Sequence, residues 1–120
     1  MRDGGRHPER LKTVATGIML AADQNGAKSF RKAHEHVKGH SDYHSLKIVK
    51  VQVGSSEEAR TLVRLYACVD QSATTVIEAD GTPTNAKHAK NRWPSIYSIT
   101  GTTGDQKLLV SNVQQKAGTC

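Results

Sequence analysis

The chain lacks most of the features that would place it at once in a membrane, a metal-binding or a familiar catalytic class. No stretch approaches the ~20 apolar residues that span a bilayer. The longest apolar run, Gly17-Ile-Met-Leu-Ala-Ala22, is short even for the core of an export signal. Aromatic residues amount to 4% of 120, so a core must be built from Val, Leu, Ile and Ala. Phe30, Tyr43, Tyr66, Trp93 and Tyr97 are its only large pieces. The glycines match no phosphate-binding loop, and Ser72, Ser95 and Ser98 lack the context of a nucleophile elbow.

Cysteine is scarce, but its two positions are informative. Cys68 lies inside the most strand-like run, Leu62 to Asp70, and Cys120 is the last residue. A chain end normally frays. Bonding it back to a core strand would tie down the final strand and close a loop of about fifty residues, which stabilises by roughly 4 kcal/mol in the chain-entropy picture. Stable disulfides belong to secreted and envelope proteins, so this pairing predicts a secreted or cell-envelope location. The alternative is a cytosolic protein with two free thiols. Because the N-terminus shows no export signal, the expectation is that the chain begins downstream of a leader.

The charge is +6, from 17 Lys and Arg against 11 acids, and both halves contribute. Such an excess favours weak adhesion to anionic polymers or lipids. A dedicated nucleic-acid binder shows a basic stripe with interleaved aromatics or a recognisable module; neither stands out, and no specific nucleic-acid partner is expected. Lys87, Lys90 and Arg92 form the densest basic group near Trp93, read as a solvated loop in preference to a polymer contact.

One domain is expected over residues 8–120, preceded by a disordered leader at 1–7. Pro8-Glu9 resembles a first helical turn. From Leu11 the positions Leu11, Val14, Ala15, Ile18, Met19 and Ala22 mark one helical face. Asn25-Gly26 is expected to end or bend that helix, and a second helix is expected through Phe30, Ala33 and Val37 to a stop at Gly39. The period then becomes strand-like. Leu46, Ile48, Val51 and Val53 fit one strand. In the next, Thr61, Val63, Leu65, Ala67 and Val69 should face the core, with Arg64, Tyr66, Cys68 and Asp70 on the other side. A short strand at 74–79 ends in Asp80-Gly81-Thr-Pro83, a strong turn signal. Arg92 to Thr100 reads as a strand confined by Pro94 to an edge or bulge, with the loop Gly101-Thr-Thr-Gly104-Asp105 leading to a hairpin partner at 107–115. Helices first and antiparallel strands after make an α+β domain, its N-terminal helices packed on a curved sheet.

These residues also carry a family resemblance over roughly 46–120. The strand ending Ala67-Cys68-Val69-Asp70-Gln71-Ser72, the V-x-x-x-D-G turn from Val76 to Gly81, Arg92 opening the next strand and the closing Val113 to Cys120 resemble small secreted proteins and lipoproteins of actinobacteria with the nuclear-transport-factor-2-like, cystatin-like cone fold. The resemblance implies an envelope location, a sheet wrapped around a helix and a Cys68–Cys120 bridge. This chain departs from the pattern in its short N-terminal region and in carrying Leu108 where relatives often have tryptophan.

Two clusters invite chemistry. His34, His36, His40 and His44 have spacings that one helix could align, but Gly39 and Ser41-Asp42 interrupt such a helix. They are read as surface histidines, with no metal or other cofactor expected. Tyr66, Asp70, Arg92, Trp93 and Tyr97 form the candidate ligand or partner surface, Tyr66 and Asp70 sharing a strand face and the two later aromatics serving as walls. A cone-pocket enzyme would use such an Asp as base and a phenol to stabilise an oxyanion, yet the alternation turns Tyr66 and Asp70 outward. The expected function is therefore a non-enzymatic binding or assembly module with no assigned catalytic residue, its partner an unknown protein or small ligand, a homodimer through the open sheet included. The alternatives are a small-molecule isomerase, dehydratase or carrier, and an accessory protein of a secretion or conjugation apparatus.

Overall fold

Two antiparallel sheets dominate the computed structural model, which describes residues 2–84, 91–104 and 107–120. A 3-10 turn at Pro8–Thr13 precedes helix α1 (Gly17–Ala33), followed by β1 (His36–Gly39), β2 (Asp42–Gln52), β3 (Arg60–Asp70), β4 (Thr74–Ile77), β5 (Pro83–Thr84), β6 (Arg92–Thr102) and β7 (Leu109–Gln115). The larger sheet has the order β2-β3-β6-β7, and the smaller β1-β4-β5.

The two sheets share a single long ribbon. His36 to Gly39 pair with Thr74 to Ile77, and Asp42 then pairs with Asp70, so β1-β2 and β3-β4 run as one antiparallel pair interrupted at residues 40–41. Gly39 sits at the interruption with φ +91°, and a Cβ there would lie 1.8 Å from the Ala73 carbonyl oxygen. Only glycine permits this close approach. Thr74 Oγ1 closes the bend by donating to the His40 carbonyl.

Register fixes the faces of the larger sheet. Tyr43, Ile48 and Val51 of β2 stand opposite Val69, Leu65 and Val63 of β3, and β6 adds Trp93, Ser95, Tyr97 and Ile99 to the same face. Val113 and Val110 of β7 complete it. Apart from Ser95, these side chains make the face apolar from edge to edge. The opposite face carries His44, Lys47 and Lys50 on β2 and Arg64, Tyr66, Cys68 and Asp70 on β3. The alternation anticipated for β3 is therefore the one the register shows.

The helical half departs from expectation. Instead of two helices, a single α1 runs through Asn25-Gly26 and stops at His34, which adopts the left-handed conformation at φ 56°. A helical glycine costs about 1 kcal/mol relative to alanine; here packing outweighs it, because Ala27 is buried against Gly5. Val37, expected on a second helix, lies in β1. Residues Arg2–His7, expected as a disordered leader, are held against the domain. Asp3 accepts hydrogen bonds from the Gly5 and His7 amides, Arg31 donates to the Gly5 carbonyl, and Arg2 donates to the Gly39 carbonyl.

The expected nuclear-transport-factor-2-like cone, with helices packed on one curved sheet, is thereby corrected to a strand-dominated architecture with one α-helix and two sheets. The physical reason is the αL stop at His34: the chain leaves the helix one turn before the apolar period would end and spends the next residues in strand. Before α1, Thr16 donates to the Val110 carbonyl and the Val110 amide to that of Val14, so residues 14–16 add a short parallel contact to β7. The molecule is thin, 53 × 32 × 18 Å, with a radius of gyration of 16.3 Å against about 14 Å for a globular chain this long.

Candidate functional site

Two regions of the larger sheet carry unusual chemistry, one at each flank of β3. At the C-terminal end of β3, Cys68 and Cys120 form a disulfide with a Cα–Cα distance of 5.8 Å and a sequence separation of 52. Cys68 is 1% exposed, although its strand face is the polar one, because Pro94 stands directly opposite and the terminal residue is bonded over it.

Asp70 lies beside this staple with a side chain 14% exposed. Its Oδ1 accepts hydrogen bonds from the Ser72 amide at 2.9 Å and the Ser72 hydroxyl at 2.6 Å. Its Oδ2 faces Arg92 Nε at 3.8 Å and His44 Nε2 at 3.6 Å, and Arg92 also reaches Cys68 Sγ at 3.7 Å. The Ser72 hydrogen bonds, foremost, and then the Arg92 and His44 charges hold the Asp70 carboxyl below its ordinary value of 3.8. A general base works best when its pKa lies near the working pH; the shift of this carboxyl runs the other way, away from neutrality.

The five residues singled out from sequence are divided by the sheet. Tyr66, Asp70 and Arg92 share the polar face, whereas Trp93 and Tyr97 project from the apolar one. They do not line a common pocket, because strict strand alternation separates neighbours such as Arg92 and Trp93. Tyr97 instead meets Tyr43 edge to face, with ring centroids 6.3 Å apart. Burial first, and then the neighbouring Tyr43, push its phenol up to about 12. His44 and Ser72 join the Asp70 cluster, although sequence reasoning does not assign them to it. The Asp-x-Ser spacing of an Asx-type turn is the available signal for Ser72.

The histidines do not converge. His34 ends α1, His36 lies in β1, and His40 faces Asp42 at 3.4 Å in the bend. Among the described residues no three His, Cys, Asp or Glu side chains gather as a metal site. Lys87, Lys90 and Asp105 lie outside the described residues. A groove of about 280 Å³ is lined by Gly4, Arg6, Arg31, His34, Glu35 and His36, and another of about 220 Å³ runs along Thr16, Arg60, Thr100 and Leu109; neither includes Tyr66, Asp70 or Arg92. Among the described residues no helix is long and apolar enough to cross a membrane.

The second region is strand β2. All eleven of its residues are exposed. Tyr43, Leu46, Ile48, Val49 and Val51 are large apolar side chains in water, with Val53 just beyond them; Ile48 is 61% and Val51 57% exposed. Isolated exposed apolar residues are ordinary; here five fall within one strand. Register shifts between His44 and Lys47 and between Ile48 and Lys50 place Ser45, Leu46 and Val49 in irregular turns of the strand. Bulges of this kind re-aim side chains and increase local twist.

No family model matches the chain, and no curated protein matches it significantly. Among solved structures, the intermembrane space region of the chloroplast protein ARC6 is similar, with a TM-score of 0.60, 13% identity, and coverage of 92% of this chain and 78% of that one. At this identity the likeness concerns the fold alone: the described arrangement of strands and helix has a counterpart among experimentally determined proteins.

Proposed function

We propose that this protein is a non-enzymatic binding or assembly module of an oxidising compartment, secreted or in the cell envelope, which engages a protein partner through β2. The observation that carries the reading is the row of large apolar side chains on a strand exposed at every position. An edge strand offers a line of unpaired amides and carbonyls, and natural proteins generally cover such an edge, charge it or shorten it. Here it is eleven residues long, and although Lys47, Lys50 and two bulges mark it as an edge, it keeps large apolar side chains exposed. The Cys68–Cys120 bridge supports the compartment, since such bonds persist where thiols are not kept reduced. The Asp70 cluster fits the same reading, because its hydrogen bonds fasten the stapled end of β3.

Selection of binding peptides from a random library on the oxidised protein tests the proposal. Peptides recovered on the native chain are expected to lose at least about tenfold in affinity for the double variant Ile48→Asp, Val51→Asp, with the circular dichroism spectrum unchanged. Peptides that bind both proteins equally would place the binding surface elsewhere and sink the reading.

A further inference from the structure

The charges beside the exposed apolar row indicate what kind of partner it takes. Lys50 stands directly opposite Arg64 across the β2-β3 ladder, and Lys47 stands opposite Tyr66, all on the polar face. The three cations are exposed. Among the described residues none of them has an ion pair, the bridges being His7–Glu9, His40–Asp42, His44–Asp70 and Arg92–Asp70. Like charges placed directly opposite one another destabilise a sheet. The isolated chain therefore holds an unrelieved cationic strip along the flank of an edge whose other face, at Tyr43, Ile48 and Val51, is apolar.

We infer that β2 takes an extended protein segment in which acidic and apolar residues alternate, added as a fifth strand of the larger sheet. The inference rests on the binding role given to β2 above and names its partner class. Strand addition satisfies the free backbone groups of the edge, and alternate side chains supply specificity. A segment with acids on one face and aliphatic side chains on the other would neutralise Lys47, Lys50 and Arg64 while covering Tyr43, Ile48 and Val51. The same charges oppose a second copy of this chain in any register that sets Lys47 and Lys50 beside their duplicates, since a two-fold axis normal to the sheet brings the two polar faces to one side; only a register that pairs Asp42 with Lys50 escapes this. Lysines and bulges on edge strands guard against such self-pairing. Selection by charge needs this repulsive element as much as the attractive one.

The test uses the full oxidised chain and two synthetic peptides of the length of β2, one alternating Glu with Val and the other Lys with Val, each followed by fluorescence anisotropy and by amide exchange of the protein. The Glu-Val peptide is expected to bind at least about tenfold more tightly than the Lys-Val peptide, weakening as salt is added, and to protect β2 amides. The variant Lys47→Glu, Lys50→Glu is expected to reverse the preference; both side chains are exposed, so its fold is not at stake. Equal binding of the two peptides with β2 protection overturns the acidic partner and leaves the binding role of β2 standing. Binding of neither, with no protection of β2 amides beyond that of the peptide-free protein, overturns both. Protection of β2 in the peptide-free protein that grows with protein concentration would identify a second copy as the occupant and overturn the inference.

Discussion

Strand β3 lies between two neighbours of its own length in opposite surroundings. β2, β3 and β6 each have eleven residues. On the β6 side every residue of β3 from Arg60 to Asp70 is paired without a break, and Ala67, Cys68, Val69, Pro94 and Ser95 are buried. On the β2 side the ladder is interrupted twice, and the strand is exposed throughout. Stability is thus concentrated where β3 meets β6 and the C-terminus is bonded down. The binding role proposed for β2 falls on the exposed flank.

Removing the staple is the most severe way to break this contrast. Cys120→Ser, or reduction of the native chain, is expected to cost about 4 kcal/mol, read from urea denaturation. Equal midpoints with and without reductant would show that the β3-β6 flank does not depend on it.

A smaller effect of opposite sign is expected at Ser95, which is fully buried and whose hydroxyl has no hydrogen-bond partner among the described residues. Burying an unpaired hydroxyl is unfavourable, so Ser95→Ala should raise stability by about 1 kcal/mol. A loss of stability would mean that a water or another group satisfies the hydroxyl in solution.

Acid acts on the same flank through Asp70. Its folded-state pKa is depressed, so its contribution is present above the ordinary 3.8 and is lost as the pH falls through the lower folded value. Ser72→Ala removes the hydroxyl, the first of the two Ser72 hydrogen bonds that lead that shift. The Asp70 carboxyl is then expected to titrate closer to 3.8 by NMR, and an unmoved titration would transfer the effect to the Ser72 amide, Arg92 and His44.

The least effect on stability is expected on the other flank. Ile48→Asp with Val51→Asp should change the unfolding free energy by no more than about 0.5 kcal/mol, the usual range for surface positions. A loss of several kcal/mol would show that β2 belongs to the core after all.

The legibility of the sequence differs between its halves for a physical reason. Strand alternation is rigid: with a period of two, residues 61 to 70 divide between the faces correctly from side-chain type alone, and Cys68 falls on the polar one. Helix ends are decided by finer balances. Asn25-Gly26 carries the sequence mark of a stop, yet the packing of Ala27 on Gly5 keeps the helix going, and Gly5 lies in a segment without periodicity. His34 ends the helix with no glycine to announce it. The candidate site is only partly legible. Tyr66, Asp70 and Arg92 do share a face, but Trp93 and Tyr97 could join them only if adjacent residues pointed the same way, which a strand forbids. The exposed row on β2 is visible in the sequence as a strand and invisible as a surface, because burial depends on whether any other element reaches it.

A molecule 18 Å across its thinnest dimension is close to a single layer, and little of its surface is hidden when it folds. Both the denaturant dependence of its unfolding and the heat-capacity change scale with hidden area. Each should therefore be shallow for a chain of this length, and a strand docked along β2 would steepen both, giving bulk calorimetry a view of an event that leaves the rest of the fold in place.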